Sequence, residues 1–194
     1  MIAVHNLSYH YTNRRWIFRN FSAEFLPEVP VVILGENGKG KSTLLQLLSG
    51  FLTPTAGTIT YSPTPAAIQQ MAFCSPALQL WAYCKVEEQV ELHAALKPFR
   101  ISRSDFFDQI DFSRAIQQRL VGQLSSGMQQ RLKLALAMFS QVPYLFLDEP
   151  CSHLDAHWSQ QYRRWLTEST WQHVFLASNS PAEYDCLSAR HLIL

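Results

Sequence analysis

The run Gly35-Glu36-Asn37-Gly38-Lys39-Gly40-Lys41-Ser42-Thr43 constrains this chain more than any other stretch. Before it lies Val31-Val32-Ile33-Leu34, an apolar run suited to a buried parallel strand. After it, Leu44, Leu45, Leu47 and Leu48 recur at helical spacing. Strand, glycine-rich loop and helix in that order make a phosphate cradle. The glycines let successive N–H groups turn toward phosphate oxygens, and the new helix adds the positive end of its dipole. Lys41 is then placed to reach the β- and γ-phosphates, and Ser42 supplies the hydroxyl that a phosphate-bound Mg²⁺ requires.

The 194 residues, 47% of them hydrophobic, suffice for one well-cored domain and are few for two. Sixteen basic residues face fifteen acidic ones and are scattered along the chain, so no nucleic-acid partner is expected. Cys74, Cys84, Cys151 and Cys186 form no C-x-x-C pair, which points to reduced thiols in a cytosolic setting rather than to a zinc site or disulfides. The first residues lack a secretory pattern, and no run approaches the roughly 18 apolar residues of a membrane span. Pro54, Pro63 and Pro65 mark irregular connections.

Short strands are expected at 2–4, 16–18 and 21–25, with further strands at 57–61 and 71–74. Helical patterning runs from Val86 to about Phe139. The buried-strand pattern then returns at 144–147 and 174–177. Between these last two strands a helix stacks Trp158, Tyr162, Trp165 and Leu166 on one face, which suits core packing better than an aromatic ligand. His153 and His157 have the i, i+4 spacing of metal ligands near Cys151 and Asp155, but no third ligand is predictable.

A second element of phosphate chemistry is Leu145-Phe146-Leu147-Asp148-Glu149-Pro150, an apolar strand that carries two carboxylates at its C-terminal end. Ligands bind at that end of open α/β sheets. Asp148 is suited to holding Mg²⁺ through water, and Glu149 to orienting or deprotonating the water that attacks the γ-phosphate. A third element, Leu124-Ser125-Ser126-Gly127-Met128-Gln129-Gln130-Arg131, opens a helix, and serine is a good cap for one.

Together with Ser152-His153-Leu154-Asp155, these motifs in this order resemble the ATP-binding subunit of ABC transporters over nearly the whole chain. The resemblance implies an α/β P-loop NTPase core with a parallel-rich central sheet, a small N-terminal antiparallel β layer and an inserted helical subdomain. It implies one domain over 1–194, with the core at about 1–84 and 141–194 and the helical subdomain at about 85–140. It also implies ATP hydrolysis with Mg²⁺ by a homodimer, or a pair with a related subunit, meeting head to tail around two ATP molecules. Each ATP would lie between one subunit's cradle, Gly35 to Thr43, and Ser125 and Gly127 of the other. Asp155 would lie at the junction, and Tyr11 would stack on adenine, with Trp16 as its rival. A separate integral membrane permease is expected, which would hold the subunit on the cytoplasmic face of the membrane. Trp81 and Tyr83, within Leu78-Gln79-Leu80-Trp81-Ala82-Tyr83, either dock that permease or fill the helical subdomain's core.

The family pattern breaks at two places. The usual glutamine after the strand at 71–74 is replaced by Pro76, with Gln79 nearby, and the usual histidine after Val174-Phe175-Leu176-Ala177-Ser178 is replaced by Asn179. An asparagine amide donates a hydrogen bond but carries no imidazolium charge, so slow hydrolysis is expected. The alternative is an ATP-dependent dimerisation switch with little turnover. Ser126 and Met128 stand for the usual glycine and glutamine of the signature, and the chain ends about where the family's catalytic core ends, so no appended regulatory domain is expected. A role on ribosomes or DNA is disfavoured, because neither a tandem cassette nor a long coiled-coil insertion is present.

Overall fold

Strands buried on both faces must alternate their side chains between two cores, and the central sheet does so. The computed structural model describes residues 1–12, 15–62, 68–168 and 171–194; the connection expected at Pro63 and Pro65 lies outside these. Five parallel strands, β3 (Val31–Leu34), β5 (Met71–Cys74), β6 (Tyr144–Asp148), β7 (His173–Ala177) and β8 (Arg190–Ile193), stand in the order β5-β6-β7-β3-β8. Val31, Ile33, Phe146 and Phe175 face one core, while Val32, Leu145, Leu147 and Leu176 face the other.

The first core is closed by helix α1 (Lys41–Leu48) and a small antiparallel sheet. That sheet orders β1 (Ile2–His10), β2 (Trp16–Phe25) and β4 (Ala56–Tyr61) as β2-β1-β4. Leu44, Leu45, Leu47 and Leu48 are at most 1% exposed, wedged between this layer and the parallel sheet. Full burial of each leucine is worth about 2 kcal/mol. The two strands expected at 16–18 and 21–25 are one strand carrying an irregularity in its pairing with β1. Asn6 and Asn20 take left-handed backbone angles there, and their N–H groups donate to Ser22 Oγ at 2.9 Å and Ser8 Oγ at 3.0 Å. The hydroxyls replace the lost ladder bonds, so the strand continues past the polar residues.

The second core lies under the helices. After β5 come α2 (Val86–Leu96), α3 (Arg103–Gln109), α4 (Arg114–Gln117) and α5 (Ser126–Met138), and α6 (Ala156–Glu168) joins β6 to β7. The aromatic face of α6 is core: Tyr162, Trp165 and Leu166 are buried, and Trp158 packs against the same cluster. Strand β8 was not expected from the sequence. Its alternation is mostly exposed, and only its pairing with β3 makes it a strand. All four cysteines are free thiols. Among the described residues no helix is long and apolar enough to cross a membrane.

Two histidines, His173 buried and His93 half-buried, make the fold sensitive to acid. His173 is 1% exposed, stacks on Tyr144 with ring centroids 5.3 Å apart, and has no partner for either ring nitrogen among the described residues. Burial, helped by the ammonium of Met1, lowers its pKa to about 4. His93 meets Ser140 Oγ at 2.8 Å and is also lowered to about 4, by burial and then by Lys97. The unfolded chain takes up these protons near 6.5, and the native state only near 4. Stability therefore rises with pH across that window and falls on acidification through it. Replacing His173 with Phe isolates the effect from Asp148 and Glu183, whose raised carboxyl pKa values act in the opposite sense. In urea melts H173F is expected to be more stable than the parent by about 1 kcal/mol at pH 8, and by a larger margin at pH 5.

Candidate functional site

The loop from Gly35 to Gly40 connects the end of β3 to the first turn of α1, and its path depends on Gly40. That residue has φ 101°, and a Cβ on it would lie 2.5 Å from Ile17 Cγ2 and 3.1 Å from Phe18 Cζ. Strand β2 thus presses on the loop, and only glycine fits beneath it. The helix starts immediately afterward, with Leu44 N donating to Gly40 O at 2.8 Å. The preceding amides of the turn have no helical acceptors and are free to bind an anion.

Lys41 is 6% exposed, and its ammonium is held inside the loop, donating to Gly35 O at 2.7 Å and Glu36 O at 3.3 Å. Asn179, just past β7, reaches the same atoms. With its amide oriented to suit its neighbours, it donates to Gly35 O at 2.7 Å and accepts from Lys41 Nζ at 3.2 Å; the Asn37 side chain lies 3.0 Å away. The Lys39–Glu36 ion pair at 4.0 Å is exposed and adds little.

Asp148 ends β6 beside this loop, near enough for the Ser42 hydroxyl to favour its charged form. Burial lifts its carboxyl above the ordinary range, and Glu149 adds to this, whereas Ser42 and Lys41 oppose it. A hydroxyl and a carboxylate paired at the start of α1 are hard oxygen donors, which fits Mg²⁺. Glu149 follows with φ 43°, anchored by its N–H to Ala177 O at 2.9 Å, and its side chain is exposed. Ser152 Oγ lies 3.4 Å from Glu149 Oε2. Strand β7 lies between β6 and β3, so Asp148 and Asn179 reach the cradle from neighbouring strand ends.

A cavity of about 360 Å³ joins Tyr11, Gly38, Ser42, Thr43 and Glu149. The Tyr11 hydroxyl is 3.1 Å from Thr43 Oγ1, a link between the residue that follows β1 and the cradle that the motif reading missed. Trp16 instead packs edge-on against His10 at 4.7 Å and does not line the cavity.

Ser125 and Gly127 stand apart from this cavity, in a recess with His153, Asp155 and Trp158. Ser125 caps α5 by accepting from Met128 N at 3.3 Å, which leaves its own O–H free to donate. A Cβ on Gly127 would lie 3.1 Å from His153 O, so a side chain there would press the first turn of α5 against the backbone at His153. Asp155 Oδ1 accepts from Trp158 N at 2.9 Å at the start of α6. Among the described residues no three His, Cys, Asp or Glu side chains form a metal cluster, and His157 packs edge-on against Trp158.

Neither Pro76 nor Gln79 lines the cradle cavity; Gln79 lies in a separate recess with Leu80, Trp81, Ala82, Tyr83 and Cys84. Trp81 is 64% and Tyr83 94% exposed, so neither fills a core. The motifs gave no sign that Gln130 and Lys133, both on α5, would be buried. Their one signal was polar residues three apart on a helix otherwise rich in Leu and Ala.

The family model described as ABC transporter matches residues 18–152. The thiamine import ATP-binding protein ThiQ of Shigella boydii is 29% identical, covering 94% of this chain and 86% of that protein. ThiQ of Salmonella typhimurium is 33% identical over 72% of this chain and 65% of its own length. A solved dimeric ATP-binding cassette in a post-hydrolysis state, bound to ADP and Pi, superposes with a TM-score of 0.84 at 19% identity, covering 100% of this chain and 94% of that one. The fold is that of an ABC-type P-loop ATPase: parallel core sheet, small antiparallel layer and helical insert. The chain belongs to the ABC transporter family, among its ATP-binding subunits.

The Gly40 geometry is testable without any ligand. Gly40→Ala is expected to destabilise the chain by about 1–3 kcal/mol in urea melts, through strain at positive φ and the clash with Ile17.

Proposed function

We propose that this chain binds Mg-ATP in the cradle of residues 35–43 and hydrolyses it as one half of a head-to-tail pair that drives a separate membrane permease. The observation that carries the reading is the convergence of Lys41, the Ser42–Asp148 pair, Glu149 and Asn179 on one loop. On this reading Lys41 gives up its carbonyl partners for β- and γ-phosphate oxygens, and the loop amides hold the rest of the charge. Ser42 and Asp148 would hold the Mg²⁺, which when bound neutralises charge that develops on the phosphates. Glu149 orients or deprotonates the attacking water, and Tyr11 flanks the base.

Ser125 and Gly127 lie outside their own chain's nucleotide cavity, so their exposed hydroxyl and helix start serve the ATP of a second copy. Asp155, beside them, lies at the junction. Residues 1–194 act as one domain, with its core at about 1–84 and 141–194 and its helical subdomain at about 85–140. Exposed Trp81 and Tyr83 form the permease contact, which would hold the subunit on the cytoplasmic face of the membrane. Import is the favoured direction, since relatives are named for thiamine import and for sulfate/thiosulfate import.

A second reading, an ATP-driven dimerisation switch with little turnover, draws on Asn179 and Pro76. Asn179 is engaged with Lys41 and Gly35, and Pro76 has no polar side chain to offer the site. Steady-state phosphate release separates the two.

Calorimetry is expected to detect Mg-ATP uptake that is lost in Lys41→Ala. Phosphate release should fall by about 100-fold or more in Glu149→Gln while ATP binding persists; unchanged release would remove Glu149 from its assigned role. Trp81→Ala should retain nucleotide binding and lose co-purification with membranes. Unchanged membrane recovery would dismiss the docking surface.

A further inference from the structure

Helix α5 reaches the catalytic end of the sheet with two buried polar side chains. Lys133 is 8% exposed, and its ammonium donates to Ser75 O at 3.3 Å and Pro76 O at 3.0 Å, in the turn that follows β5. One turn earlier on the helix, Gln130 is 1% exposed and donates from Nε2 to Pro150 O at 2.9 Å; its Oε1 has no partner among the described residues. These acceptors lie at adjacent strand ends, because β5 and β6 pair from Met71 with Tyr144 through Cys74 with Leu147. Pro150 directly follows Glu149, and Asp148 precedes it.

Among the described residues no carboxylate forms an ion pair with Lys133. A desolvated ammonium with only carbonyl partners is costly, and an unbranched apolar residue of similar length would pack at less expense. The turn that Lys133 holds leads out of β5, whose paired neighbour β6 ends in Asp148.

We propose that Lys133 is a positioning residue for ATP hydrolysis, pinning the Ser75–Pro76 turn to α5 at the end of the strand that pairs with the one carrying Asp148. Gln130 pins the neighbouring strand end at Pro150. Since α5 begins at the Ser125–Gly127 turn, the same helix ties that turn rigidly to the two carboxylates. At Pro76, where the side chain can offer no hydrogen bond, a lysine from another element fixes the backbone instead. The inference rests on the ATPase reading above.

The test is single-turnover hydrolysis of Mg-ATP by the full chain, with affinity by calorimetry and stability by thermal melting, in wild type, Lys133→Met and Lys133→Arg. Lys133→Met is expected to hydrolyse about ten-fold more slowly, with Mg-ATP affinity within about two-fold of wild type. Its melting temperature should be equal or higher, since a buried unpaired charge has been removed. Lys133→Arg, which keeps a cation on α5, should recover most of the rate. A Lys133→Met rate within about two-fold of wild type overturns the proposal, as does an equal loss in both variants with unchanged melting. If Lys133→Met does not melt cooperatively, Lys133→Leu, which also removes the donor, takes its place: a slow rate supports the pin and a wild-type rate overturns it. A wild type that takes up no Mg-ATP ends the ATPase reading and this one together, whereas a hydrolysing wild type matched by Lys133→Met ends only this one.

Discussion

The burial of α1 between two sheets is the constraint on which the rest of the structure depends. Its leucines face the antiparallel layer on one side and Val31, Ile33, Phe146 and Phe175 on the other, so the helix axis is fixed at both surfaces. The free amides at its N-terminus are fixed with it, and an anion site made of backbone is only as well placed as the helix that ends in it. Ile17 and Phe18 of β2 then close over Gly40, so the small sheet both completes the core and shapes the loop. Packing and phosphate chemistry meet at one residue that cannot carry a side chain.

Around that helix the charged groups are arranged by burial. Lys41 is satisfied by loop carbonyls and by Asn179, so the cradle holds its own cation in place. Asp148 is desolvated enough that its carboxyl is raised, a state that a nearby divalent cation would reverse. Glu149, one residue later, is exposed and turned outward by its left-handed backbone. Two adjacent carboxylates thus have different surroundings: one is suited to a metal and the other to water.

Much of this was legible in the sequence because it is local. Strand β3, the cradle and α1 follow from a continuous run whose hydrophobic period and glycine positions admit one arrangement. Strands β5, β6 and β7 were readable within a residue for the same reason, as was the buried aromatic face of α6. The polar Arg19-Asn20 step suggested a break in β2, and a pair of serine hydroxyls on facing strands removed it. Strand β8 is only four residues long and mostly exposed, with no clean alternation; its place is set by pairing with β3.

The sequence by itself determined that a glycine-rich loop of phosphate-binding pattern sits between a buried strand and a helix, and which carboxylates end a second buried strand, because spacing and residue type dictate both. Only the tertiary structure decided that Tyr11 rather than Trp16 lines the cavity, that Asn179 rests on Lys41, that Trp81 and Tyr83 lie in the open, and that Lys133 from a distant helix holds the turn at Pro76. Each of these is a contact between residues far apart along the chain, and it is set by how the sheets and helices stack.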